Sequence, residues 1–265
     1  MKAEETLRKI THEKPLVHHL TNYVTVNLVA NTTLSTGALP VMAHAREEVA
    51  EMVGLASALV VNIGTLAPTF VEAVMLAGKR ANERGIPVVL DPVGAGATSF
   101  RTKTAERLLS DLEIAAVCGN AGEVATIAGL DAEVRGVESL AGDARQAAMK
   151  AAGSLGVIVA ATGETDYVSD GERTLAVSNG HPLMGRVVGS GCASTAVVGC
   201  FAAAGGGEAE TVAHALAYFG RAGEVAAERA EGGGTFEPRF LDALDALATD
   251  LGGLEDMLRV DVPSS

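Results

Sequence analysis

The sequence predicts an α/β fold: a doubly wound, mostly parallel sheet flanked by helices on both faces. Three observations carry the prediction. Apolar runs of strand length alternate with segments of helical spacing. Those runs end on small or polar turn residues. Hydrophobic residues make up 48% of the chain, yet aromatics are only 3% and Trp is absent. The core must then be Ala, Val, Leu and Ile, which suits helices packed on a parallel sheet.

The elements follow in order. MKAEETLRKI is charged and amphipathic, with no apolar targeting core, and no later run is long enough to span a membrane. A cytoplasmic protein is expected. In His18-His19-Leu20-Thr21-Asn22, Asn22 is placed to cap a helix running to Leu34. His18 and His19 are adjacent and face opposite sides of a strand, so structural roles are favoured over a shared metal. Met42 lies in a turn-rich apolar stretch, where Met is usually core filler.

Ser57–Ile63 reads as a buried strand ending at Gly64-Thr65, and Val71–Arg84 as a helix ending at Gly85. Ile86–Leu90 is a strand ending at Asp91-Pro92. Lys103–Leu112 is a helix, and Ile114–Cys118 a strand ending at Gly119-Asn120. A short helix, Ala121–Ala128, and a longer one, Ala141–Ser154, precede a strand at Gly156–Ala161. Asp166–Val177 differs: two short strands flank Asp170-Gly171, a hairpin signal. Helices are expected after Cys192, over Glu208–Glu231 and over Pro238–Leu251. Gly232-Gly233-Gly234 reads as a structural loop, because no buried strand precedes it. No linker divides the chain and no repeat recurs, so residues 1–265 read as one domain.

The net charge of −13 argues against a nucleic-acid backbone as partner. The three cysteines, Cys118, Cys192 and Cys200, are odd in number and sparse, which suggests a reducing compartment. On one helix, Cys192 and Cys200 would be separated by about 12 Å, too far for a disulfide. No CxxC pair is present to suggest zinc.

Gly189-Ser190-Gly191-Cys192 opens a helix-length run of small apolar residues. Free N–H groups and the dipole make a helix N-terminus an anion site, and glycines let backbone approach a phosphate. A GxG turn also arises where backbone merely packs closely. Cys192 would stand beside the anion pocket, where a base or nucleophile belongs. In open α/β sheets, ligands bind beyond the carboxyl ends of the strands. Asn62 and Gly64, Asp91, Asn120 and Glu123, and Thr162 and Glu164 occupy four such ends. Asp91 and Glu123 are oxygen donors suited to Mg²⁺, which uses one or two carboxylates together with phosphates.

With these residues assembled, the chain resembles the hydroxyethylthiazole kinases, thiamine-salvage members of the ribokinase-like fold. The likeness runs through HHLTNYVTVN, PVMAHA, NIGTL, DPVGAGAT, GNAGEV, ATGETDYVSDG and GSGC. It implies ATP-dependent phosphorylation of the hydroxyl of 4-methyl-5-(2-hydroxyethyl)thiazole, with Mg²⁺ as cofactor. It also implies a homotrimer with sites at subunit interfaces. Carried over, Asp91 and Glu123 organise the metal and its waters. Asn120 sits near the triphosphate and Thr162 contacts ATP. Asn22, Met42 and Gly64 line the thiazole pocket, with Gly189 shared between substrate and catalysis. Gly189 to Gly191 form the anion hole, and Cys192 takes the base position, where related sugar kinases carry aspartate.

Two departures stand out. Cys118 occupies the ATP-contacting position where the family usually has arginine, which leaves Arg101 or Arg186 to supply the cation. Val188 replaces a threonine. Competing readings are a pyrimidine or pyridoxal kinase or a nicotinamide-hydrate dehydratase of the same fold. A thiol enzyme pairing Cys192 with His181, and a non-catalytic nucleotide- or thiazole-binding sensor, complete the set.

Overall fold

A computed structural model describes residues 2–130 and 143–263. Helix α1 (Ala3–Glu13) buries Leu7 and Ile10 and leads into β1 (Leu16–Leu20). Then come α2 (Val26–Ser35), β2 (Leu39–Val41), α3 (Val49–Val53), β3 (Ala58–Asn62) and α4 (Pro68–Glu83). Next are β4 (Val88–Asp91), α5 (Ser99–Asp111), β5 (Ala116–Asn120) and α6 (Ala121–Ile127). Helix α7 (Ala144–Leu155) precedes β6 (Ile158–Thr162) and the hairpin β7 (Asp166–Ser169) and β8 (Thr174–Val177). A 3-10 turn, Pro182–Arg186, leads to α8 (Ser190–Gly205) and α9 (Ala209–Ala227). Helices α10 (Gly233–Thr249) and α11 (Leu254–Met257) and strand β9 (Val260–Asp261) complete it.

The nine strands form one sheet in the order β2-β1-β3-β4-β5-β6-β7-β8-β9. The six from β2 to β6 pair in parallel, and the last three joins are antiparallel. Strands from both ends of the chain thus share one sheet. Strand side chains alternate between two cores. Val60, Val89, Ala116, Cys118 and Ala160 face a core shared with α1, α8, α9 and α10. Leu59, Val61, Val88, Leu90, Val117 and Val159 face a second core under α4, α5 and α7. Each fully buried Val or Leu stabilises the fold by about 1.5–3 kcal/mol, so both faces are committed and the register cannot slip.

The expected strands and helices are present with shifted ends. Strand β5 runs on to Asn120 because β6 pairs with it as far as Thr162. The start of the expected 141–154 helix, residues 141 and 142, lies outside the described residues; the helix begins at Ala144, capped by Asp143, whose carboxylate accepts from Gln146 N. Helix α10 begins at Gly233, within the segment expected as a loop, and carries Pro238 inside it. Phe236 and Phe240, one turn apart, stack at 5.8 Å, and Phe240 meets Phe219 edge-on at 4.8 Å. That packing outweighs the local proline and glycine signals.

Candidate active site

The carboxyl ends of β1, β3, β4, β5 and β6 converge on the N-terminus of α8. Strand polarity forces this, because every parallel strand delivers its last residue to the same edge. Four of the expected residues meet there. Asn22, buried after β1, donates from Nδ2 to Asn62 Oδ1 at 3.0 Å and to Cys192 Sγ at 3.4 Å. Asn62, at the end of β3, donates from Nδ2 to Asp91 Oδ2 at 2.6 Å and to Cys192 Sγ at 3.2 Å. Its Oδ1 also accepts from the Gly64 amide at 2.9 Å. Asn22 does not cap α2 directly. Its Oδ1 accepts from the amides of Val24 and Thr25, in the turn before the helix.

Asp91 is 4% exposed. Burial and the Glu123 carboxylate push its pKa up to about 8, against the pull of hydrogen bonds from Thr195 and Asn62. Thr195 was not singled out from the sequence. It lies three residues beyond Cys192 on the same helix face, and its Oγ1 stands 3.3 Å from Asp91 Oδ2. Glu123 closes a capping box at the start of α6: its Oε2 accepts from Asn120 N, and Asn120 Oδ1 accepts from Glu123 N, both at 2.9 Å. Glu123 Oε1 accepts from the Gly94 amide at 2.7 Å. Among the described residues, no group of three His, Cys, Asp or Glu is gathered as a metal cage.

Gly189 precedes α8 with φ of +92°. A Cβ there would lie 2.4 Å from Thr25 Cγ2, so both conformation and space demand glycine. The turn presents the first amides of α8 outward. Ala193 N already bonds to Gly189 O at 2.8 Å, whereas the amides of Gly191 and Cys192 meet no acceptor among the described residues. Gly191 lines a cleft of about 830 Å³. Thr162, Asp166, Asn179, His181, Gly189 and Gly191 are among its lining residues. Burial raises the Asp166 pKa to about 6, opposed by a hydrogen bond from Gly163 N.

Cys192 belongs to the buried polar cluster, next in the chain to cleft-lining Gly191. Burial and neighbouring Asp91 push its thiol pKa up, while hydrogen bonds from Asn62 and Asn22 pull it down. The thiol is therefore the resting form. His181 is not among its partners; its Nδ1 accepts from the Leu183 amide at 3.2 Å. The nucleophile–base pair required of a thiol enzyme is not formed.

Cys118 is a correction. Its side chain is 1% exposed, in the core shared by β5 and α8. Burial raises its thiol pKa, with Asp91 adding to the shift. It offers no surface to a nucleotide, because the alternation along β5 turns residue 118 inward. Thr162 Oγ1 donates to Gly119 O at 3.2 Å and lines the cleft. Arg101, on α5, donates to Val93 O and Gly64 O, each at 2.7 Å, while Arg186 is exposed.

His18 and His19 are buried on opposite faces, as expected. His18 Nε2 meets Ala43 O at 2.8 Å, and His19 Nε2 meets Thr33 Oγ1 at 3.0 Å. Burial pushes the His19 pKa down to about 3. Met42 is half-buried, and its carbonyl faces His44 Nδ1 at 3.1 Å. His44 Nε2 accepts in turn from Thr21 N at 3.2 Å, which ties the Met42 loop to the residue before Asn22.

The family model described as the Hydroxyethylthiazole kinase family matches residues 7–250. A hydroxyethylthiazole kinase of Rubrobacter xylanophilus is 71% identical over 261 residues, 98% of each chain. A solved hydroxyethylthiazole kinase protein from Pyrococcus horikoshii OT3 is similar with a TM-score of 0.87 and 41% identity, covering 99% of each chain. A Bacillus subtilis pyridoxal kinase solved with ADP has a TM-score of 0.56 at 19% identity, covering 81% of this chain and 92% of its own. The last likeness concerns the fold alone.

Proposed function

Because this chain belongs to the hydroxyethylthiazole kinase family, we propose a division of labour for the residues at the N-terminus of α8. The fold is ribokinase-like, and the chain is a kinase of the thiazole alcohol in thiamine salvage. One observation carries the site reading. Two consecutive residues have unpaired amides: Gly191, which lines the open cleft, and Cys192, which belongs to the buried polar cluster. ATP lies in the cleft, with Thr162 at its wall and Asn120 near the triphosphate. The thiazole alcohol lies on the other side, against Asn22, Gly64 and Met42. Its hydroxyl reaches Cys192.

Phosphoryl transfer passes through a loose transition state, so positioning and charge neutralisation dominate. The turn leaves the Gly191 and Cys192 amides unpaired for the transferred group, with no reorganisation required during reaction. Cys192, a neutral thiol, orients the hydroxyl rather than abstracting its proton early. The amides of Asn22 and Asn62 fix the sulfur by donating to it.

Asp91 and Glu123 fit Mg²⁺. Burial, and after it repulsion by the Glu123 carboxylate, raises the Asp91 pKa, an arrangement that a divalent cation relieves. Both Glu123 oxygens already accept backbone amides, so this residue acts on the metal through waters and charge. When bound, Mg²⁺ neutralises charge on the phosphates.

A homotrimer with interfacial sites completes the reading. Tyr23 and Val24 follow Asn22 directly and Val188 precedes Gly189, yet they are 69%, 69% and 75% exposed. Apolar side chains rimming a substrate site need a cover, and a second copy provides it. We read residues 1–265 as one domain and its three free thiols as suited to the cytoplasm.

The test is ADP release from Mg-ATP with and without hydroxyethylthiazole, with the thiazole phosphate confirmed by mass. Thiazole-dependent ADP and product are expected. Turnover of pyridoxal or a pyrimidine alcohol in its place overturns the reading.

A further inference from the structure

Arg101, a candidate cation for ATP on the sequence, is engaged instead with two backbone carbonyls at the site. It projects from the first turn of α5, after the N-cap Thr98. Its Nη1 donates to Val93 O and its Nη2 to Gly64 O, both at 2.7 Å. Among the described residues it makes no ion pair, in a chain of net charge −13. The guanidinium lies flush on the backbone at Gly94, where a Cβ would come within 2.7 Å of Nη1.

The two carbonyls belong to different loops. Gly64 follows β3 and is held by Asn62 Oδ1. Val93 follows Asp91, and the next amide, Gly94 N, is held by Glu123. The loops are already joined on their inner side by Asn62 and Asp91 at 2.6 Å. Arg101 makes a second, outer join. A planar fork with fixed donor spacing can hold two carbonyls at once; an ammonium on a flexible stem cannot.

We infer that Arg101 braces the Gly64 loop against the Asp91–Gly94 loop, as a positioning residue that sets the spacing between acceptor alcohol and carboxylate pair. The kinetic consequence rests on the acceptor-site reading above; the brace itself does not. Loosening the brace lets the hydroxyl drift relative to the phosphoryl group, without removing a group that touches either substrate.

The experiment compares the wild-type chain with Arg101→Lys and Arg101→Gln. Amide hydrogen exchange is followed over residues 62–66 and 92–97, alongside steady-state kinetics. Both variants are expected to exchange faster in both segments, with the core strands protected as before. An ångström of misplacement costs about 100-fold, so kcat falls by about that factor while KM for ATP stays put. Lysine does not rescue. Wild-type exchange and kcat in Arg101→Lys overturn the brace, since charge alone would then suffice. Unchanged exchange with a raised KM for ATP also overturns it, in favour of direct nucleotide contact. Should exchange respond as expected while even the wild-type chain fails to phosphorylate the thiazole, the brace stands and the acceptor reading falls.

Discussion

Asn62 couples Asp91 to Cys192: one side-chain nitrogen reaches Asp91 Oδ2 at 2.6 Å and Cys192 Sγ at 3.2 Å. The amide thereby pulls against the burial that raises the carboxyl's pKa, and fixes the placement of carboxyl and thiol together. Asn62→Ala removes a donor from a buried acceptor, which costs about 1–3 kcal/mol. Chemical denaturation should show that loss, and kcat should fall through misplacement of both partners. A variant with full stability and turnover would show the coupling to be incidental.

The proposed role of Cys192 is to orient the acceptor hydroxyl as a thiol. Cys192→Ala is expected to impair turnover while leaving ATP binding, measured by calorimetry, intact. Cys192→Asp should remain active, because Asn22 and Asn62 donate equally well to a carboxylate. Loss of all activity in a folded Asp variant would sink the assignment.

Asp91 makes stability pH-dependent in an unusual direction. A carboxyl with a folded pKa of about 8 binds its proton more tightly in the native state than unfolded, so its contribution is lost as pH rises through about 8. The metal-free protein should lose melting temperature between pH 7 and 8.5, a window above the titration of unfolded histidine. Mg²⁺ should restore more at the upper end, because it binds the ionised form. Asp91→Asn should flatten the dependence.

Glu123→Gln removes the charge that helps raise the Asp91 pKa. The falling limb of the stability profile should move to lower pH, and the Mg²⁺ concentration for half-maximal rate should rise. An unchanged Mg²⁺ dependence would count against the carboxylate pair as the metal site.

Gly189 and Gly191 should respond differently to the same methyl group. Gly189→Ala meets Thr25 and must hold φ at +92°, a strain of about 1–3 kcal/mol before the clash is counted. It should be destabilised and inactive. At Gly191 an added Cβ meets no atom within 4 Å. Gly191→Ala should melt like wild type yet show a raised KM for ATP, because the methyl projects into anion space.

The sequence by itself determined what depends on near neighbours. Strand and helix rhythm, the Asp170-Gly171 hairpin and the glycine turn before α8 are local, because period and turn chemistry act over a few residues. Parallel strands then require their polar ends to share one edge, which is why Asn62, Asp91, Asn120 and Thr162 are legible as strand-end candidates for a site. Only the tertiary structure decided what depends on distant partners. Strands β2 and β9, three and two residues long, exist because β1 and β8 pair with them. The Cys118 thiol is turned inward by its register against β6. Thr195 joins Asp91 across 104 residues, and Asn62 joins Cys192 across 130. Such contacts leave no period or spacing in the chain; they form when the sheet brings its strand ends to the start of α8.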